Sequence, residues 1–380
     1  AGATDGNGYG DFYYTPPTGF LALCSANLPT SSDIDPAGDS GADENPTKQF
    51  NTILYDGIGG TSANNITGVG FQPDLIWIHN LEQSAAFTNT LVDSSRGRAG
   101  VLYSQRTDAE ATSAVNRDIS SFNSDGFTVQ DTSNVDGNQS GIQYVAWCWK
   151  ANAGTTSSDG NGSITTTVQA NTEAGFSILT YTGTGSNATI GHGLSAKPDF
   201  IIFKRRSGGG ENWQVYHSSL GATKYLLLNS SNSESTSSTR FQDTEPTNSV
   251  ISIGTESGVN TSSGTHVAYA WHNVDGYSRF STYEGNGDAD GPFVYTGFRP
   301  RMLWFKRVDG GSEPWTVFDT ARATFNPTAS HSRAQVYWDL QNAGSTGSTH
   351  TLDFLSNGFK LRGTGGANNT NGGVYIYGAW

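Results

Sequence analysis

The chain repeats itself three times, and this constrains its fold more than any other feature, because a recurring stretch must be a structural unit. An opening strand, a Gly-rich turn and an X-Pro strand return in the same order. The first copy reads Thr52-Ile53-Leu54-Tyr55-Asp56-Gly57, then Gln72-Pro73-Asp74-Leu75-Ile76-Trp77-Ile78. The second reads Ile178-Leu179-Thr180-Tyr181-Thr182-Gly183, then Lys197-Pro198-Asp199-Phe200-Ile201-Ile202-Phe203. The third reads Phe280-Ser281-Thr282-Tyr283-Glu284-Gly285, then Arg299-Pro300-Arg301-Met302-Leu303-Trp304-Phe305. Each copy closes on an aromatic strand: Tyr144-Val145-Ala146-Trp147, His266-Val267-Ala268-Tyr269-Ala270-Trp271 and Tyr375-Ile376-Tyr377-Gly378-Ala379-Trp380. A period of roughly 100 residues is too long for a solenoid or propeller blade and suits a whole small domain.

Within each copy, short runs rich in Val, Ile, Thr, Tyr, Phe and Trp alternate with Gly, Asn, Asp and Ser, the pattern of strands and turns. Continuous apolar runs such as Leu75-Ile76-Trp77-Ile78 are expected of strands buried on both faces. The proline before each run donates no N–H and suits a strand's first residue. Helical periodicity is weak, and the best candidate, residues 108–119, is short. The expected fold is therefore all-β: three tandem β-sandwich repeats, jelly-roll or lectin-like, at 46–152, 153–274 and 275–380. A short extended segment, 1–45, precedes them. Residues 151–162, rich in Gly, Ser, Thr and Asn, read as a flexible linker, whereas the joint at 273–276 is short enough for its neighbours to touch.

Composition closes off several classes. Forty-four Phe, Tyr and Trp residues supply core material that disordered chains lack. No stretch approaches about 18 uninterrupted apolar residues, so membrane insertion is not expected. Cys24 and Cys148 are too few for a disulfide framework, and a net charge of −13 argues against binding nucleic acid. The chain starts at Ala1, has its one methionine at Met302 and stops on an aromatic run, so both ends read as cuts through something longer. No signal peptide is legible.

The run Tyr14-Thr15-Pro16-Pro17-Thr18-Gly19-Phe20, followed by Ala26-Asn27-Leu28-Pro29, resembles the end of SPRY-type, concanavalin-like domains of bacteriophage proteins. The repeats resemble the modules that follow those domains in marine phage and prophage tail-fibre-like proteins. Residues 181–194, 290–300 and 355–362 carry the likeness, which extends over essentially the whole chain. The resemblance implies a structural protein of a virion appendage, a tail fibre or spike. Its place would be the virion surface, outside the cell, among other virion proteins, and its role recognition of host-surface glycan. Two rivals are a purely structural fibre or decoration protein without ligand, and a secreted carbohydrate-binding module of a polysaccharide-active enzyme. A homo-oligomer is expected, three copies favoured, because phage fibres of this kind are three-fold and three small cores would gain shelter from neighbours.

No enzyme is expected. The chain has no G-x-S-x-G elbow, no H-E-x-x-H and no phosphate-loop signature. Its seven histidines are scattered, and the Gly-rich stretches at 57–60, 183–185 and 363–366 lie between strands and read as turns. Aromatic faces stack on sugar rings; Trp213 and Trp315, which follow Gly-rich loops at matching places, are the candidate stacking residues. Asn286, Asp288 and Asp290 place side-chain oxygens at alternate positions before Gly291 and are the candidate calcium ligands. The loop from Asp5 to Asp11 is a looser version. A solvated turn is the other reading of both, and no further cofactor is expected.

Overall fold

The computed structural model describes residues 2–24, 27, 45–60, 62–82, 89–112, 119–130, 137–346 and 349–380. Among them the protein is all-β, with antiparallel sheets and three α-helical turns of four residues each. One arrangement occurs three times. The first opening strand, Phe50–Asp56, pairs with the closing strand Gln143–Trp149, which pairs in turn with the X-Pro strand Leu75–Asn80 and then Thr90–Asp93. Phe176–Thr182, Thr265–Trp271, Phe200–Arg205 and Gln214–His217 stand in the same order. So do Arg279–Glu284, Val374–Ala379, Met302–Arg307 and Thr316–Asp319. A smaller sheet accompanies each, for instance Asn64–Thr67 with Gly126–Val129 and Ile119–Asn123. The paired sheets are consistent with β-sandwich domains.

Strand alternation sends successive side chains to opposite faces, and here both faces are covered by different things. From the closing strand of the first sheet, Tyr144, Ala146 and Cys148 enter a core shared with the companion sheet. Val145, Trp147 and Trp149 enter a second core that all three large sheets share. The X-Pro strands divide likewise. Leu75 and Trp77, Phe200 and Ile202, and Met302 and Trp304 all lie in the shared core, while their alternates serve the three sandwich cores. The shelter expected from association of copies is thus supplied to a large aromatic area within one chain.

Contacts between the sheets run cyclically. Trp213 Nε1 of the second donates to the Tyr103 carbonyl of the first at 2.9 Å. Trp315 Nε1 of the third donates to the Leu227 carbonyl of the second at 3.0 Å. At the matching place in the first sheet, Asn89 Nδ2 reaches the Trp338 carbonyl of the third at 2.9 Å. Three seams therefore close a ring. Buried carboxylates reinforce two of them: Asp93 accepts the Tyr269 hydroxyl proton at 2.7 Å, and Asp319 accepts Trp147 Nε1–H at 3.1 Å. Each carboxylate is also paired with a guanidinium, Arg96 or Arg322.

One expectation needs correction. Residues 151–162 are not a free linker, since Ser157–Asp159 pairs with Thr166–Asn171 and extends the second sheet. The reason is that Asp74 and the Gln169 side chain hold the backbone of 151–154 by hydrogen bonds. The helical candidate at 108–119 contains a strand pair residue set, Ala111–Thr112, and a strand start at Ile119; residues 113–118 lie outside the described residues. So do Ala26, Leu28 and Pro29 of the SPRY-like stretch. No helix of the described residues is long and apolar enough to cross a membrane.

Candidate functional site

The two tryptophans expected to stack on sugars are both 0% exposed. Trp213 and Trp315 belong to the shared core, and their indole N–H groups are the seam bonds already described. This corrects the expectation of a stacking site: a residue that begins a strand after a glycine loop is buried here because the next sheet covers it.

The Asn286–Gly291 loop has a different use for its oxygens. Asn286 Oδ1 accepts the Asp288 N–H at 3.0 Å, and Asp288 Oδ1 accepts the Asp290 N–H at 2.8 Å. The Asp290 carboxylate faces Lys360 at 2.9 Å and Arg362 at 3.5 Å. Fully buried Asn369 braces the loop from inside, donating to the Asp288 carbonyl at 2.8 Å and accepting the Asn286 N–H at 2.9 Å. Asn260 does the same for the matching loop of the second sheet, accepting the Thr184 N–H at 2.8 Å and donating to the Ser186 carbonyl. The loop is thus the third version of the glycine turn that follows each opening strand. In the N-terminal loop, Asp5 accepts N–H groups from Asn7, Tyr9, Ala22 and Asn27. Burial pushes its carboxyl up, but those bonds outweigh it and hold it down at about 2. Among the described residues, no three His, Cys, Asp or Glu side chains are grouped to hold a metal. His266 and His272, which flank the closing strand of the second sheet, are buried.

A pocket no motif announced lies at the seam between the first and third sheets. It has a volume of about 300 Å³. Phe50 and Pro46 come from the first side, and Tyr277, Phe298, Arg301 and Trp380 from the third. Phe50 stacks on Trp380 with ring centroids 5.8 Å apart and planes 29° apart. Gly276 permits the turn that delivers Tyr277: it takes φ of 77°, and the chain closes on itself at the Val274–Ser278 bridge. Tyr277 and Trp380 are 3% and 4% exposed. The Tyr277 hydroxyl, Arg301 Nε and Trp380 Nε1 are all buried without a hydrogen-bond partner among the described residues. Among the described residues five further core indoles, Trp149 and Trp271 among them, are unpaired too, so the Tyr277 hydroxyl and Arg301 Nε are the informative pair. Such groups are ordinarily satisfied when buried. Burial draws the Arg301 guanidinium below its ordinary value, with Asp319 pulling the other way.

The equivalent positions explain why Arg301 is left over. The residue after the proline is Asp74 in the first sheet, Asp199 in the second and Arg301 in the third. Asp74 accepts the N–H groups of Ala151 at 2.7 Å and Gly154 at 2.8 Å; Asp199 accepts that of Asn273 at 2.8 Å. Each aspartate receives the chain leaving its own closing strand. Arg301 has donors where they have acceptors, and its buried Nε finds no acceptor among the described residues. The Pro-Asp, Pro-Asp, Pro-Arg series was a legible signal of this. Tyr277 carried none, because it lies in a joint and reaches the pocket only through the fold.

Comparison with known proteins gives one finding. A family model described as a domain of unknown function, DUF7483, matches residues 45–380. No curated protein and no solved structure matches the chain.

Proposed function

Because the chain belongs to the DUF7483 family, whose description gives no activity, we propose from its own geometry that it is a non-enzymatic structural protein of a bacteriophage virion appendage that contacts host-surface glycan through the seam pocket. One observation carries this reading: a pocket of about 300 Å³ at the seam, lined by Pro46, Phe298 and Trp380 with Arg299 and Arg301 beside them. Pockets that hold small ligands combine apolar walls with a few placed polar groups, and sugar rings use both. The SPRY-like and tail-fibre-like stretches support a virion surface location outside the cell. The buried acids Asp74, Asp93 and Asp319 support a structural role, since each is committed to hydrogen bonds that hold connections and seams.

Homo-oligomeric assembly, with three copies favoured, belongs to the same proposal. Its support is now multivalency, which turns weak saccharide contacts into firm attachment, because the shared core already shelters the aromatic area. Mass photometry tests it, and a single species at the 40.3 kDa chain mass would end it.

Glycan-array screening of the intact chain beside a Phe298→Ala, Arg299→Ala double variant tests the reading. Binding by the parent and its loss in the folded variant is the expected result. A folded parent that retains no glycan would leave the purely structural fibre as the better account.

A further inference from the structure

The three opening strands occupy the same place in their sheets, but their outer edges end differently. In the second sheet, Phe176–Thr182 takes a further strand, Thr166–Asn171, which in turn takes Ser157–Asp159. In the first, Phe50–Asp56 is outermost but covered: Thr52 is 3% exposed, and the Asp56 carbonyl accepts Asn64 Nδ2–H at 2.9 Å. In the third, Arg279–Glu284 is also outermost, and here Arg279, Thr282 and Glu284 are exposed.

Alternate residues of an antiparallel strand turn their N–H and C=O groups toward the partner. The Gly285 N–H donates to the Gly373 carbonyl at 2.8 Å. Ser281 and Tyr283 therefore face the closing strand Val374–Ala379, while Phe280, Thr282 and Glu284 turn their backbone groups outward. Asn273 Oδ1 takes the Phe280 N–H at 2.6 Å. Among the described residues, the backbone groups of Thr282 and Glu284 have no partner.

An open edge is a template for another strand, and strand addition is a common mode of peptide recognition. The second sheet shows what this edge accepts. Thr282 matches Thr180 in the repeat, and Thr180 stands opposite Thr167, with Ile178 opposite Gln169. The added strand, Thr166–Asn171, carries no charge. Val168 enters the sandwich core, and Gln169 reaches Ser94 and Ser95 of the first sheet at 2.9 and 2.8 Å. The open edge bears one cation and one anion, Arg279 and Glu284, which balance. We propose that the Arg279–Glu284 edge docks an extended, uncharged segment of a partner polypeptide, antiparallel to the opening strand. The docking gives the chain a protein partner and does not depend on the glycan reading.

A labelled peptide with the sequence of residues 163–172, titrated against the intact chain by fluorescence polarisation, tests this. N-methylation at Thr167 and Gln169, whose N–H groups would face the edge, should weaken binding by about tenfold or more through lost hydrogen bonds. N-methylation at Val168, whose N–H faces away, should leave it unchanged. Hydrogen exchange of the parent with peptide bound should slow within 279–285. Thr282→Pro removes an outward N–H and no ladder bond, so the folded variant should lose the peptide; the exchange result stands if it misfolds. No binding, or equal loss from all three methylations, overturns the proposal. Slowed exchange within 166–182 alone would mean strand replacement in the second sheet and overturns this edge. Self-association of the parent that the peptide or Thr282→Pro abolishes would make the occupant a second copy, overturning the separate partner.

Discussion

The indole of Trp149 meets that of Trp380 edge-on, with ring centroids 5.3 Å apart and planes at 74°. One closes the first sheet and the other the third. Trp271, which closes the second, completes the triangle at 5.9 Å from Trp149 and 6.1 Å from Trp380. Edge-to-face contacts at this distance are the favoured geometry for aromatic rings, so the three closing strands are tied at one point.

Unfolding should therefore be cooperative across the sheets. Calorimetry is expected to give a single transition, and Trp149→Ala to lower stability by about 3–5 kcal/mol without splitting it. Separate transitions would show that the sheets hold together independently and that the triangle is incidental.

Gly378 stands where the other closing strands carry Trp147 and Tyr269. A Cβ there would lie 2.4 Å from Trp304 Nε1 and 2.5 Å from its Cε2. The glycine thus makes room for a neighbouring indole in the shared core. Gly378→Ala should cost about 1–3 kcal/mol through overpacking. Gly160→Ala, where a Cβ meets nothing within 4 Å, is the neutral control. Equal denaturant midpoints for the two variants would contradict this packing.

Asp339 is buried beside Trp315, whose N–H it accepts at 2.9 Å, while its second oxygen has no partner among the described residues. Burial pushes its carboxyl up to about 7, against the pull of those N–H groups and of Lys306. A folded value above the unfolded one means stability that is present at low pH and lost as pH rises through about 7. Asp339→Asn keeps the acceptor and removes the charge. It should melt higher than the parent at pH 8, with the difference gone by pH 4. His79 and His217, held near 4 by burial, contribute stability that is lost as pH falls from 6.5 towards 4. Because both proteins carry them, their effect cancels in the comparison. A gain that is the same at both pH values would refute the assignment.

Calcium should leave the fold unmoved. Asn369 and the Lys360 and Arg362 cations already engage the Asn286–Gly291 loop. Melting temperatures in excess chelator and in millimolar calcium are expected to coincide, whereas Asn369→Ala should cost about 1–3 kcal/mol by leaving buried loop groups unpaired. A rise of several degrees on adding calcium would show that the loop takes an ion after all.

What the sequence determined by itself was local. Alternating and continuous apolar runs, X-Pro strand starts and glycine turns name the strands and their threefold recurrence, because each depends on neighbours a few residues away. Covering of the outer faces was decided by the tertiary structure. An alternation such as Val145, Trp147 and Trp149 reads the same whether a companion sheet, a second molecule or two other sheets of one chain lie over it. Only the closing of the ring buried Trp213 and Trp315, which local context had offered to sugars. The seam pocket shows the same division: the change from Asp74 and Asp199 to Arg301 is written in the chain, but its meaning depends on Tyr277, Phe50 and Trp380. Those residues are brought to Arg301 by packing between sheets, which is set by the sum of many apolar contacts and by no spacing along the chain.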